Sequence, residues 1–352
     1  GLARHPAARQ AGAAPPHQPR GTLGARAHEP AAAPAANPVT YTVVVALGPL
    51  ENADATTVTV EFYRADTGAK LAGIATYANG KFTFVDTSGY TGKVLVKVLD
   101  GNSTGTDYVN EATGQAKDMP DTMWAFANVS GDVTLTVSPL TTFATMKALN
   151  VSSVAAIAPT NANVASANPT AANKATGEFF GLGSVDVATA PVSFAINSDG
   201  TSNLANVNAY GMALVVVSTM EQSAGATTDV VLTKLASAVA LTGSTLAFSP
   251  GADPVAAGDA ATQLMAAAKN PVVTVNGTDV AVSAVSTIAP TLTEGLTFNP
   301  ILAIKSGEDA YVNASENSVN IEVASAGLKV DDVIQLKSGG VNIGTAYTVL
   351  AA

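Results

Sequence analysis

The sequence predicts a mixed, multidomain protein in which β-sandwich domains flank a mainly α-helical middle region. Three observations carry this reading. Between Tyr41 and Val137 the apolar residues fall in short runs parted by turn residues, about five or six strands in some hundred residues, as sandwiches have them. At Ser138-Pro139 the apolar period lengthens from that of a strand to that of a helix. After Asn270-Pro271 the strand pattern returns.

Taken in order, residues 1–36 form an Ala/Pro/Arg-rich stretch with almost nothing β-branched, and predict an extended arm. Such a composition buries too little apolar surface to offset the entropy of ordering itself. The first β-domain, 37–138, opens with Tyr41 to Leu47, nearly continuous apolar like a strand buried on both faces. Val58, Val60 and Phe62 alternate within Thr56 to Tyr63. Asn79-Gly80 is a strong hairpin signal ahead of a strand at Lys81 to Val85, because both residues tolerate the positive φ that a tight hairpin turn needs. Lys93 to Leu99 and Val133 to Val137 complete the set.

The middle domain, 139–270, begins where the Ser138 hydroxyl can cap a helix and Pro139 gives up an amide hydrogen that would go unpaired anyway. Leu140, Phe143, Met146 and Leu149 then share one helical stripe. Further helices are predicted over Pro169 to Leu182, Leu204 to Met220, Asp229 to Leu241 and Pro254 to Lys269, with Val192 to Ile196 as a possible strand. The last domain, 271–352, reads as strands at Val272 to Val275, Val280 to Val285, Val319 to Val323, Val333 to Leu336 and Ala346 to Leu350. That count falls short of the ~7 strands of a full sandwich, and the first two strands fill only part of the deficit.

Two patches resemble secreted and surface-attached bacterial proteins. The first is an Asn-Gly hairpin (Asn79 to Thr83) closing on Val137-Ser-Pro-Leu-Thr-Thr142, with Ala175 to Leu182 in the helices beyond. The second, Asp309 to Glu316 with Gly327 to Leu336, is similar to the opening of Ig-like modules in large bacterial adhesins. The resemblance covers about a third of the chain. It implies Ig-like β-domains, an address outside the cell or on its surface, and a structural or adhesive role.

Composition narrows the chemistry. The chain of 352 residues has no cysteine, and His5, His17 and His28 all lie in the arm. Ser–His and Cys–His nucleophile pairs, and the usual transition-metal ligands, are therefore missing from the body. The arm carries net +3, so the body carries −13 of the total −10, with Arg64 as its one arginine. A surface so acidic cannot hold nucleic acid by phosphate contacts. No apolar run approaches the ~20 residues of a membrane helix, and the basic N-terminus lacks the apolar core of a secretion signal.

The best local motif runs from Asp100 to Glu111. Asp100, Asn102, Thr104, Thr106 and Glu111 fall in the ligand order of a calcium loop, where hard oxygens surround the ion and the last carboxylate binds through both of its own. Thr104 departs from that pattern, a strand rather than a helix precedes the loop, and a polar connection between strands accounts for the same residues. Glu308, Asp309 and Glu316 form a weaker acidic group. The body's 26 carboxylates single out no catalytic pair, and Trp124 is the one tryptophan, which argues against a sugar-stacking platform. Lys–Asn isopeptide bonds would suit a cysteine-free extracellular sandwich, yet the sequence nominates no pair.

These features lead to the expectation of a non-enzymatic subunit of an extracellular filament, requiring no cofactor beyond a possible calcium ion. Subunits would join head to tail, with Tyr41 to Leu47 either donated to a neighbour or serving as the first strand of its own sandwich. The alternative is a monomeric adhesin or binding module that meets a host or matrix surface.

Overall fold

The computed structural model describes residues 37–50, 57–102, 105–249, 254–280, 282, 302–305, 320–323, 333–338 and 341–348. The arm 1–36, Thr104 and the acidic group Glu308, Asp309 and Glu316 lie outside these residues.

Two sheets face each other. The first has the order β3 (Thr76–Ala78), β4 (Lys81–Asp86), β1 (Val39–Val45) and β9 (Val133–Val137). The second has the order β2 (Val58–Arg64), β5 (Gly92–Asp100) and β8 (Thr122–Val129). Tyr41, Val43, Phe82 and Phe84 from the first sheet share one core with Val58, Val60, Phe62, Val94, Val96 and Met123 from the second. Asn79 and Gly80 both take positive φ, 52° and 76°, as the predicted hairpin requires. The apolar run at Tyr41 is the centre of its own sheet: β1 pairs antiparallel with β4 and parallel with β9.

The second sheet is buried on both faces along β8 and the middle of β5. Along β8 the side chains of Met123, Ala125 and Ala127 enter the core between the sheets, while Trp124 and Phe126 enter a second core built by the helices. Those helices are α1 (Pro139–Leu149), α2 (Pro169–Phe179), α3 (Ala209–Ala224), α4 (Thr228–Ala238) and α5 (Pro254–Lys269). Phe143, Phe179 and Phe180 pack ring against ring within that core, at centroid distances of 5.3–6.0 Å. The helices thus form a third layer on the sheet. The predicted boundary at 138/139 is a change of secondary structure crossed by a continuous core.

The Ser-Pro-Leu-Thr-Thr sequence explains how that layer attaches. Ser138 caps α1 reciprocally with Thr141, and Pro139 holds the first helical position. β8 ends its sheet, so its outward amides and carbonyls need partners. Thr142 Oγ1 accepts from Trp124 N at 3.0 Å, Thr141 Oγ1 donates to Trp124 O at 2.8 Å, and Asn173 Nδ2 donates to Phe126 O at 3.0 Å. Ser138 Oγ and the Tyr210 hydroxyl lie 2.8 Å apart, which ties α3 to the same junction.

The remaining strands form hairpins: β6 (Tyr108–Asn110) with β7 (Gln115–Lys117), β10 (Val239–Thr242) with β11 (Thr245–Phe248), and β12 (Val273–Val275) with β13 (Thr278–Val280). β14 (Leu302–Lys305) pairs with β15 (Asn320–Val323), and β16 (Val333–Ser338) with β17 (Val341–Thr348). The predicted strand at Val192 to Ile196 is a loop whose one ladder contact is a bridge from Ile196 to Ser202.

Candidate functional site

The end of β5 and the β6–β7 hairpin gather the unusual polar chemistry of the described residues. Asp100 closes β5, and its Oδ1 accepts from Asn102 N at 3.1 Å. Asn102 and Thr106 are exposed. Asp107 turns inward, 2% exposed, and its Oδ2 accepts from Met119 N at 3.1 Å. One carboxylate oxygen each from Asp100, Asp107 and Asp118 come within 4.8 Å of one another.

Glu111 goes elsewhere. The short strand β6 carries the chain into the interior between Asp107 and Glu111, so the glutamate is fully buried and is not among the carboxylates approaching Asp100. Its Oε1 accepts from Ala195 N at 2.5 Å, and its Oε2 is buried without a hydrogen-bond partner. Ala195, whose amide it accepts from, and the adjoining Ile196 belong to a small apolar cluster with Val109, Met212, Val215 and Val273. Burial pushes the Glu111 pKa up to about 8, against the opposing pull of the Ala195 and Ile196 amides. Thr274 N donates to the Glu111 carbonyl at 2.9 Å, so β12 is fastened to the same residue.

Of the five predicted calcium ligands, then, Asp100 joins a cluster, Asn102 contributes a backbone turn, and Glu111 serves the interior. Asp107 and Asp118 are the additions. Asp107 sits at a position where a calcium loop needs no ligand, and Asp118 lies beyond the loop, so the template passes over both. Asp118 is raised above the usual carboxylate range, chiefly by burial and then by the charges of Asp100 and Asp107, and its Oδ1 is buried without a partner. Hard oxygens in this arrangement suit calcium or magnesium better than a softer metal.

Beside the cluster a cleft of about 410 Å³ is lined by Lys117, Asp118, Asp121, Thr122, Thr228 and Asp229. Lys117 Nζ pairs with Glu221 Oε2 at 2.8 Å, the carboxylate side chain being 4% exposed and its amine partner 36%. Nothing in the spacing of residues 104 apart signals that contact. Trp124, by contrast, is buried in the second core and offers no platform for a ligand. Among the described residues no helix is long and apolar enough to cross a membrane. Comparison with protein families, with curated proteins and with solved structures finds no match.

Proposed function

We propose that this chain is a non-enzymatic structural subunit of an extracellular bacterial filament or surface assembly, joined head to tail, with an Ig-like β-body. The observation that carries the reading is at the C-terminal end: β14 pairs with β15 and β16 with β17, and no third strand joins either pair among the described residues. An isolated two-stranded hairpin is marginal in water, and its unpaired edges accept a further strand. A strand supplied by a neighbour would complete such a module, with main-chain hydrogen bonds for affinity. Because donor and acceptor differ, the contact propagates instead of closing into a dimer. β1 is disfavoured as the donor, because its removal would open the first sheet between β4 and β9. That leaves the residues ahead of it, 1–36, as the segment proposed to cross to the neighbour. Calcium is an accessory ion in this reading, held by Asp100, Asp107 and Asp118.

The test is negative-stain imaging with size exclusion on the full chain and on chains lacking 1–36 or 301–352. The full chain should give fibres, and each truncation discrete monomers with the melting transition of the body retained. Discrete monomers from the full chain would overturn the proposal.

A groove of about 280 Å³ favours the second reading, a monomeric glycan- or protein-binding module. Tyr77, Phe194, Asn197, Ser198 and Asn203 line it, joining apolar faces to amides. Under that reading the full chain stays monomeric, binds N-acetylglucosamine oligomers, and loses the binding on Tyr77→Ala.

A further inference from the structure

The interior face of the β6–β7 hairpin brings an amine, a carboxamide and a carboxylate together. Tyr108 pairs across the ladder with Lys117, and Asn110 lies two residues on from Tyr108, so all three share one face. Lys117 Nζ and Asn110 Nδ2 both reach one atom, Oε2 of Glu221, at 2.8 and 3.4 Å. The other oxygen, Oε1, accepts from Thr228 Oγ1 at 2.7 Å, which fixes the carboxylate's orientation. Asn110 and Glu221 are buried, at 1% and 4% exposure.

The carboxamide carbonyl is itself surrounded. Asn110 Oδ1 accepts from Ala112 N and Thr113 N, each at 3.1 Å, and from Thr113 Oγ1 at 3.3 Å. Three donors on one carbonyl oxygen stabilise the negative charge that develops there when a nucleophile adds to its carbon. The amine is held against the shared carboxylate without any need to recruit a second molecule.

We propose that Lys117 and Asn110 become joined by an intramolecular isopeptide bond, with Glu221 carrying the protons. Lys117 Nζ first gives a proton to Glu221 Oε2 along their contact. The neutral amine then adds to Asn110 Cγ, and the oxyanion forms on Oδ1 among its three donors. Glu221 passes a proton to Nδ2 as the Cγ–Nδ2 bond breaks. The new Nζ–Cγ amide keeps one hydrogen, ammonia leaves, and the remaining proton stays on Glu221 or departs with the ammonia as ammonium. No oxidant or co-reactant enters. Lys117 and Thr228 also line the cleft beside the hairpin, which gives the ammonia a route to solvent. The bond would staple the hairpin that carries Glu111 and receives β12, in a chain without cysteine.

Intact-mass spectrometry of the purified full chain tests this directly. The chain should be lighter than its sequence by one ammonia. Trypsin should fail to cut after Lys117, leaving a peptide 98–147 that lacks that ammonia and places the link between Asn110 and Lys117 on fragmentation. Lys117→Arg and Glu221→Gln should each return the full mass. Full mass with normal cleavage after Lys117 in the unaltered chain overturns the proposal, and needs no variant to fold. Loss of one water instead would overturn it in favour of a Lys117–Glu221 amide.

Discussion

The junction at Ser138 and the β6–β7 hairpin both put polar side chains in the interior, and they treat them in opposite ways. At the junction Ser138, Thr141, Thr142, Thr145 and Tyr210 all hydrogen-bond, and Lys147 Nζ donates to the carbonyls of Ala236 and Val239 at 2.7 and 2.5 Å. At the hairpin two carboxylate oxygens, Glu111 Oε2 and Asp118 Oδ1, are buried with no partner; Trp124 Nε1 beside the junction also lacks one, but it does not ionise. Satisfied buried groups specify a packing, whereas an unpartnered one leaves a cost that a proton or a cation can relieve. The junction therefore reads as a satisfied network in which Lys147 is the titrating member, and the hairpin as the place where buried carboxylate oxygens are left for a proton or a cation to relieve.

The largest effect should come from the apolar packing that supports the junction. Phe143 stacks on Phe179 at 6.0 Å and is fully buried. Phe143→Ala should cost about 3–5 kcal/mol, lost transfer energy plus the cavity left behind. Urea unfolding reads this out, and a cost under about 1 kcal/mol would mean that the three-layer core does not hold in solution.

Next comes the buried acid. The folded-state pKa of Glu111 is raised from 4.5 to about 8, so the folded chain holds its proton where the unfolded chain has lost it. Its contribution is full below the unfolded value, falls as pH rises between the two, and is gone above the folded one, a span on the order of a few kcal/mol. Lys147 works in the reverse sense: burial lowers its pKa to about 8, so its share of stability recovers only as pH climbs from there towards the unfolded value of 10.5. Glu111→Gln keeps an acceptor for Ala195 N but cannot ionise. Urea midpoints at two pH values bracketing the Glu111 window should differ more for the parent chain than for this variant, and equal differences would show that Glu111 does not titrate in place.

The same contrast marks what the sequence makes legible. α1 was readable from a hydroxyl and a proline at fixed positions, and α5 from its apolar pattern and the Asn270-Pro271 stop, because those signals are local. Strand β8 gives no alternation since both its faces are covered, so periodicity passes over the strand on which the helical layer sits. The predicted helix from Leu204 begins only at Ala209, after the Asn208 cap. Leu204 and Val207 instead pack beside Ala195 and Ile196 from the preceding loop. The helix predicted to run to Leu241 ends at Ala238, where Val239–Thr242 turns into a hairpin with Thr245–Phe248. At the site, Asp100 was legible as the start of a loop. The Glu111–Ala195 and Lys117–Glu221 contacts join residues 84 and 104 apart, and no local spacing encodes them.

A smaller effect should come from a single hydroxyl at the junction. Thr142→Val keeps the shape but leaves the Trp124 amide without its acceptor in a buried position, at about 1–3 kcal/mol. Thr145→Val removes a hydroxyl that only reinforces its own helix, donating to Thr141 O, and should cost less. Equal costs for the two would mean that the edge of β8 does not depend on the threonines.

The smallest effect concerns calcium, and it separates the two carboxylate sets most cleanly. Oxygens within 4.8 Å of one another are near the spacing at which one ion could be shared through calcium–oxygen bonds of ~2.3–2.6 Å. A cation there would offset the mutual repulsion that, after burial, raises Asp118. Sites of extracellular modules bind in the ~0.1–1 mM range, so millimolar calcium should stabilise the fold by only about 1 kcal/mol, or ~2–4 °C in Tm. Asp118→Asn should abolish the difference between melting curves with calcium and with chelator, and should also raise the calcium-free Tm by removing one of the repelling charges. Glu111→Gln should leave the calcium difference intact, because its carboxylate faces Ala195 and not the cluster. If instead the difference survives Asp118→Asn and vanishes with Glu111→Gln, the ion is held in the linear loop order of Asp100 to Glu111. Identical curves in the parent chain would remove calcium from the account, leaving Asp118 as a half-buried carboxylate whose repulsion is relieved by a proton alone.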